Sequence, residues 1–131
     1  MNPPRGGAPA VLGVGIDAVE IERFRRLLER RGGFAQRCFT EAERDALGAR
    51  RDPVPGLAAR FAAKAAAMKA LGVGLGAIGL REVEVVRSSS GRPELRAHGR
   101  AAALASSLGI RRFDVSLTHT ATLASAVVVA S

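Results

Sequence analysis

The stretch "RFAAKAAAMKALG", residues 60–72, predicts an alanine-rich helix that ends at Gly72, since glycine commonly follows a helix C-terminus. Its alanines would let another segment or another chain approach closely. Of 20 basic residues in the chain, only Lys64 and Lys69 are lysines, and both lie here. A compact ammonium and a planar guanidinium are not interchangeable at a tight phosphate site. The restriction of lysine to this stretch therefore suggests a phosphate-contacting helix. The alternative, that both only solvate the helix, stays open. Five positions apart, they diverge by about 140° and should not share a face.

The segments before this helix alternate between strand and helix patterns. "VLGVGI", residues 11–16, has the pattern of a short buried strand, and a helical pattern follows it up to the glycines at 32 and 33. "TEAE", residues 40–43, fits a capping box and predicts the start of a second helix. "RDPVPG", residues 51–56, predicts a loop before the alanine-rich helix.

The segments after it predict most of the sheet. A glycine-rich loop, "GVGLGAIG", precedes an alternating strand, a "SSSGRP" turn and a hairpin partner. A helix of small residues and two final strands complete the pattern. The predicted segments are 72–79 (loop), 81–86 (strand), 88–93 (turn), 94–99 (strand), 100–109 (helix), 113–120 (strand) and 124–130 (strand). This order predicts an α+β fold.

Composition limits the classes of function. With 131 residues we expect a flexible tail over 1–10 and one domain over 11–131. The net charge of +8 indicates an anionic partner. The only aromatic residues of the chain that could stack on bases are five phenylalanines, which argues against nucleic acid as that partner. Cys38 is the only cysteine, so no internal disulfide is expected. The longest apolar run, 124–130, is too short to span a bilayer, and we expect a cytoplasmic protein.

Three patterns mark candidate functional residues. Asp17 follows a buried strand and precedes a helix, where it could be an N-cap, the commoner role, or a Mg²⁺ ligand. Near the C-terminus a strand carries His119, and histidine alone is more often structural than catalytic. On the first helix, arginines three and four residues apart form a basic stripe, which consists of Arg23, Arg26 and Arg30.

Six segments in order resemble the holo-[acyl-carrier-protein] synthases, the short type of 4′-phosphopantetheinyl transferase. They are "GIDAVEIERF" (15–24), "RCFTEAE" (37–43), "LAARFAAKAAAMKALGVGLG" (57–76), "REVEV" (81–85), "SGRPEL" (90–95) and "VSLTHT" (115–120). The resemblance covers about residues 11–130. It implies the α+β fold of this family, a mostly antiparallel sheet packed with helices, with one domain per protomer.

The resemblance implies an activity and its partners. The implied reaction moves 4′-phosphopantetheine from coenzyme A to a serine of an apo acyl carrier protein, with Mg²⁺, and releases adenosine 3′,5′-bisphosphate. Fatty acid synthesis is the implied context. The partners are an acidic acyl carrier protein and two further copies of the chain, in a homotrimer with active sites between protomers. The alternative is a catalytically silent relative that still binds coenzyme A or a carrier protein.

The resemblance also assigns residues to roles. Asp17, Lys69 and His119 match catalytic positions, and Asp17 matches the Mg²⁺ ligand. The resemblance implies that the stripe residues Arg23, Arg26 and Arg30 contact the carrier protein. The residues implied to contact coenzyme A are Arg60, Phe61, Lys64, Gly72, Gly74, Gly76, Ser90, Gly91, Arg92, Pro93 and Thr118.

Two positions depart from the family pattern. Ala65 stands where the family has a glutamate as second Mg²⁺ ligand, which predicts a weakened enzyme or a silent relative. Asp114 stands where many members have histidine. One hypothesis is that Asp114 lies near the metal and partly compensates for Ala65.

Overall fold

The structure is a computed structural model that describes residues 10–131. Its elements in chain order are β1 (Gly13–Glu20), α1 (Ile21–Arg30), α2 (Phe34–Cys38), α3 (Glu41–Gly48), α4 (Val54–Ala70), a short 3-10 helix (Leu80–Glu82), β2 (Val83–Arg87), β3 (Pro93–Ala97), α5 (Gly99–Ser107), β4 (Phe113–His119) and β5 (Leu123–Ala130). The tail expected over 1–10 lies outside the described residues, apart from Ala10.

The strands form two antiparallel sheets. One has the order β1-β5-β4, and the other is the hairpin β2-β3. Only β1 comes from the first half of the chain, as the sequence predicts. The α+β expectation is confirmed. In the described residues no helix is long and apolar enough to cross a membrane.

Glycine in β1 and alanine in α4 allow a very close contact between these two elements. A Cβ atom added at Gly13 would lie 1.9 Å from the Ala70 carbonyl oxygen, and one at Gly15 would lie 1.8 Å from that of Ala66. A side chain at either glycine would therefore collide with the α4 backbone. The alanine surface of α4 is thus covered by the chain's own sheet. The helix gives way to a turn in which Gly72 has φ 76°, as its glycine predicts.

Several predicted boundaries differ from the observed ones. β1 continues past residue 16, and Asp17 pairs with Ala126 inside it, so the N-cap interpretation of Asp17 is wrong. α4 begins three residues earlier than the predicted loop allows, because proline is tolerated in the first turn of a helix. The capping box is confirmed: the Thr40 hydroxyl accepts from the Glu43 backbone N–H.

One face of the β1-β5-β4 sheet packs on α4, and the other is exposed. Paired residues of antiparallel strands share a face, so Ile16 and Val127 lie side by side on the outer face, at 63% and 36% exposure. Val14 extends this apolar surface along β1, and Ser116 borders it on β4. An apolar sheet face open to water is typical of an interface with another molecule.

Candidate active site

An ion pair joins β1 and α4 at the edge of the sheet. The Lys69 ammonium donates to the Ile16 carbonyl oxygen at 2.9 Å and to Asp17 Oδ1 at 3.2 Å. The Lys69 side chain is 56% exposed and that of Asp17 is 24% exposed. An ammonium has three N–H donors, so one remains for a ligand.

Asp17 opens onto a cleft of about 520 Å³ between β1, α1 and α4. Its floor includes Phe24 and Phe61, whose ring centroids are 5.3 Å apart. All three stripe arginines, Arg23, Arg26 and Arg30, line the cleft. Their charges make this cleft attractive to an anionic partner.

The stripe arginines have no ion-pair partner within residues 10–131. Arg25, on the same helix, is engaged instead: its guanidinium donates to both carboxylate oxygens of Asp52, at 3.0 and 2.7 Å. This pair raises the pKa of Arg25 and lowers that of Asp52. It ties α1 to the loop before α4, so the stripe is held facing the cleft. The sequence pattern did not predict this pair.

Ala65 lies between Phe61 and Lys69 on one face of α4, because residues four apart on a helix share a face. It is 5% exposed and offers no metal ligand. Among residues 10–131 no three His, Cys, Asp or Glu side chains are grouped to hold a metal ion. Asp17 alone, already bonded to an ammonium, does not fit a preformed Mg²⁺ centre.

Lys64 lies on another side of α4, as the five-residue spacing predicts, and it is fully buried. Its ammonium donates to Glu43 Oε1 at 2.6 Å and to the carbonyl oxygens of Leu80 at 2.9 Å and Val83 at 2.6 Å. Burial lowers the pKa of Lys64, while Glu43 acts to raise it. Because all three N–H donors are used internally, we correct the expected role of Lys64 from phosphate contact to support of the fold.

Arg60 is also buried, at 3% exposure, and its Nε has no hydrogen-bond partner within the described chain. Burial lowers the pKa of Arg60, and the nearby charges of Arg87 and Arg50 lower it further, against Glu43. A buried guanidinium beside two like charges is favourable only with a negative charge nearby. Glu43 supplies part of that negative charge, and the role of Arg60 in binding an anionic ligand stays a prediction.

His119 ends β4, on the far side of β5 from β1. It pairs with Ala124, which pairs with Val19, so two strand spacings, about 10 Å, separate His119 from β1. Its Nδ1 lies 3.3 Å from the Thr120 carbonyl oxygen. Thr118 is exposed on the outer face of the sheet. Within one chain, the structure brings neither His119 nor Thr118 to the Asp17 cleft.

The expected nucleotide residues on the β2–β3 turn lie elsewhere too. Arg92 and Pro93 line a second cleft, of about 380 Å³, together with Asp114. Ser90 and Gly91 lie in the turn beside them. Neither cleft is lined by the loop glycines that follow α4, Gly72, Gly74 and Gly76.

Asp114 is paired with Arg112, which donates to it through Nη2 at 2.8 Å and through Nε. In the sheet, Asp114 of β4 lies opposite Val129 of β5, and Val129 lies opposite Val14 of β1. Asp114 and Val14 are therefore on the same face, which is opposite to the face that carries Asp17. The hypothesis that Asp114 compensates for Ala65 beside a metal is therefore wrong within one chain.

The fold and the cleft agree with a known family. Residues 13–124 match the family model of the 4′-phosphopantetheinyl transferase superfamily, and the chain belongs to this family. It is 50% identical over 121 residues to the holo-[acyl-carrier-protein] synthase of Streptomyces avermitilis, covering 92% of this chain and 98% of the relative. The family expected from the sequence is confirmed.

Solved structures agree over nearly the whole chain. The crystal structure of holo-[acyl-carrier-protein] synthase (AcpS) from Neisseria meningitidis matches with a TM-score of 0.84 and 34% identity, covering 93% of this chain and 99% of that one. The Helicobacter pylori synthase in complex with coenzyme A matches with a TM-score of 0.77 and 27% identity, covering 90% and 99%.

Proposed function

We propose that this protein transfers 4′-phosphopantetheine from coenzyme A to a serine of an acidic acyl carrier protein and releases adenosine 3′,5′-bisphosphate. The observation that carries the proposal is the Lys69–Asp17 pair at the edge of a cleft lined by three arginines that have no ion-pair partner in the described part of the chain. The curated relative from Streptomyces avermitilis, 50% identical, bears the name of this activity.

The transfer reaction needs positive charge at the point where the serine oxygen attacks the diphosphate of coenzyme A. The P–O bond to the leaving bisphosphate breaks, and negative charge on the phosphate oxygens must be neutralised. Lys69 has one free N–H donor for this purpose and is held in place by Ile16 and Asp17. Asp17 therefore orients the ammonium that contacts the reacting diphosphate.

The remaining contacts to coenzyme A are proposed from the match of these residues to the family pattern. Arg60 supplies a buried charge on α4, and Phe61 supplies an apolar wall of the cleft. The other proposed contacts are Gly72, Gly74, Gly76, Ser90, Gly91, Arg92, Pro93 and Thr118. His119 stays a proposed catalytic residue.

These residues divide between separate regions of one chain, which supports a site shared by protomers. The Asp17 cleft and the Arg92 cleft have no lining residue in common. The outer sheet face, with Val14, Ile16 and Val127, is apolar and exposed, as an interface between copies requires. We propose a homotrimer in which a neighbouring copy completes each site.

Mg²⁺ is not assigned a resident site, since within residues 10–131 no three ligand side chains are grouped to hold a metal ion and Lys69 is bonded to Asp17. The cytoplasmic location and the context of fatty acid synthesis stay predictions.

Ala65 favours a second candidate, a silent relative that binds coenzyme A or a carrier protein without turnover. Its methyl group leaves the face of α4 between Phe61 and Lys69 with one carboxylate fewer than the family pattern. Binding of coenzyme A is expected from both candidates, so only turnover separates them.

Incubation of apo acyl carrier protein with coenzyme A, Mg²⁺ and this protein should add one phosphopantetheine group to the carrier, as measured by intact-mass spectrometry. Ala65→Glu should raise the rate by about 10- to 10³-fold, on the scale of one preorganised electrostatic contact. Asp17→Asn serves as the inactive control. If only Ala65→Glu transfers the group, Ala65 has silenced an otherwise intact site. If neither transfers it, the silent-relative candidate replaces the first.

The arginine stripe should act on the carrier protein and not on the chemistry. Replacing Arg23 and Arg30 together with alanine should raise the KM for the carrier protein by about tenfold or more, with kcat little changed, because exposed charges act mainly on encounter. The steady-state rate is measured against carrier concentration at low and high salt. Replacing Arg81 and Arg96 together with alanine, an equal charge change at two exposed positions that do not line the cleft, should have little effect. An equal loss in that control would remove the stripe's assigned role.

A further inference from the structure

We infer that in the free protein the Lys69 ammonium, and no divalent cation, is the counter-ion of Asp17, and that such a cation enters only together with the diphosphate of coenzyme A. The identity of the diphosphate rests on the proposed function. The statement about the free protein rests on the geometry alone.

The Lys69 ammonium lies directly against Asp17. Lys69 contacts Asp17 Oδ1 at 3.2 Å and is also anchored to the same strand at the Ile16 carbonyl oxygen, at 2.9 Å. A divalent cation on Asp17 would therefore lie close to a fixed positive charge. Its repulsion from the ammonium and its attraction to the carboxylate have equal charge products, so at similar distances the two nearly cancel.

A divalent cation would also need ligands in addition to Asp17. Mg²⁺ and Mn²⁺ prefer several oxygen ligands, and proteins usually supply one or two carboxylates while substrate phosphates and water supply the rest. Ala65 lies between Phe61 and Lys69 on the same face of α4, and its methyl group coordinates nothing. Within residues 10–131 no group of three or more His, Cys, Asp or Glu side chains that could hold a metal ion forms around Asp17 or elsewhere.

The diphosphate changes both conditions at once. Its negative oxygens would neutralise Lys69 through the remaining N–H donor and would add ligands next to Asp17. The net charge that a cation meets would change from near zero to negative. Cation and coenzyme are therefore expected to bind cooperatively, and each should tighten the other by the same factor.

The test uses Mn²⁺ as the probe, with free Mn²⁺ measured by electron paramagnetic resonance during titration of the full-length protein. We expect little Mn²⁺ binding to the free protein and binding at least about tenfold tighter with coenzyme A, beyond the Mn²⁺–coenzyme A pair alone. Lys69→Gln and Ala65→Glu should each tighten Mn²⁺ binding to the free protein by about tenfold or more. Asp17→Asn should remove the site.

The controls separate charge from position. Ala103→Glu adds the same charge at an exposed position of α5 and should leave Mn²⁺ binding unchanged. Since Lys69 is largely exposed, Lys69→Gln should keep the fold even if Ala65→Glu disturbs the packing, and circular dichroism checks both. Tight Mn²⁺ binding to the free unaltered protein, or no gain in Lys69→Gln, overturns the inference. If calorimetry detects no binding of coenzyme A, the proposed function is contradicted. The Mn²⁺ titration of the free protein still tests whether Lys69 or a divalent cation is the counter-ion of Asp17.

Discussion

Replacing Lys64 with methionine should lower the free energy of unfolding by about 3–5 kcal/mol, because removal of one partner leaves a buried charge unpaired. The substitution keeps most of the side-chain volume but leaves Glu43 without its ammonium. Two further acceptors, the carbonyl oxygens of Leu80 and Val83, lose their donor as well. Urea denaturation followed by circular dichroism measures the change.

The chain contains a matched control for this experiment in its other lysine. Lys69→Met removes the same charge from the same helix, but its side chain is 56% exposed, so its effect on stability should stay below about 1 kcal/mol. Equal stabilities for the two variants would contradict the structural role of Lys64. They would also return Lys64 to consideration as a ligand of the coenzyme phosphates.

The contrast between the lysines shows what local pattern can predict. The period of a helix is enough to place Lys64 and Lys69 on different faces. It does not tell which face is buried, because the acceptors of Lys64 come from two segments distant in sequence, at Glu43 and at Leu80 and Val83. The capping box did point to Glu43 as a structural residue, yet its second role as partner of Lys64 needed the tertiary structure.

Asp17 shows the same limit for strands. The local pattern of a strand followed by a helix favoured an N-cap, but pairing with Ala126 extends β1 through Asp17. That partner lies more than a hundred residues later in the chain, so no local signal could reveal it. The resemblance to the family assigned catalytic roles to Asp17 and Lys69 and carrier-protein contact to the stripe arginines, and the cleft brings Asp17 together with the stripe.

The residues that stay apart have a different explanation. His119 and Arg92 match family positions, yet neither lines the Asp17 cleft of this chain. A site divided between protomers would bring such residues together only in the assembly. Val14 and Ile16, whose exposed apolar side chains alternate with the glycines that face α4, form a surface that is typical of such an interface.

Replacing Lys69 with methionine should lower kcat for phosphopantetheine transfer by about 10²- to 10³-fold, the range found when one preorganised electrostatic contact is removed. The ammonium would act mainly on charge that develops as the serine attacks, so kcat should fall more than the affinity for coenzyme A. Single-turnover transfer to an apo carrier protein, followed by intact mass, measures the rate. Calorimetry with coenzyme A measures the affinity.

Lys69→Arg tests whether charge alone is sufficient. A guanidinium keeps the charge but is planar and wider than an ammonium, so it cannot donate in the same geometry to Ile16, Asp17 and a phosphate oxygen together. We therefore expect Lys69→Arg to be faster than Lys69→Met and still slower than the unaltered protein. Full activity in Lys69→Met would show that the reacting diphosphate does not contact this ammonium, and the Lys69–Asp17 pair would then be a structural contact between β1 and α4.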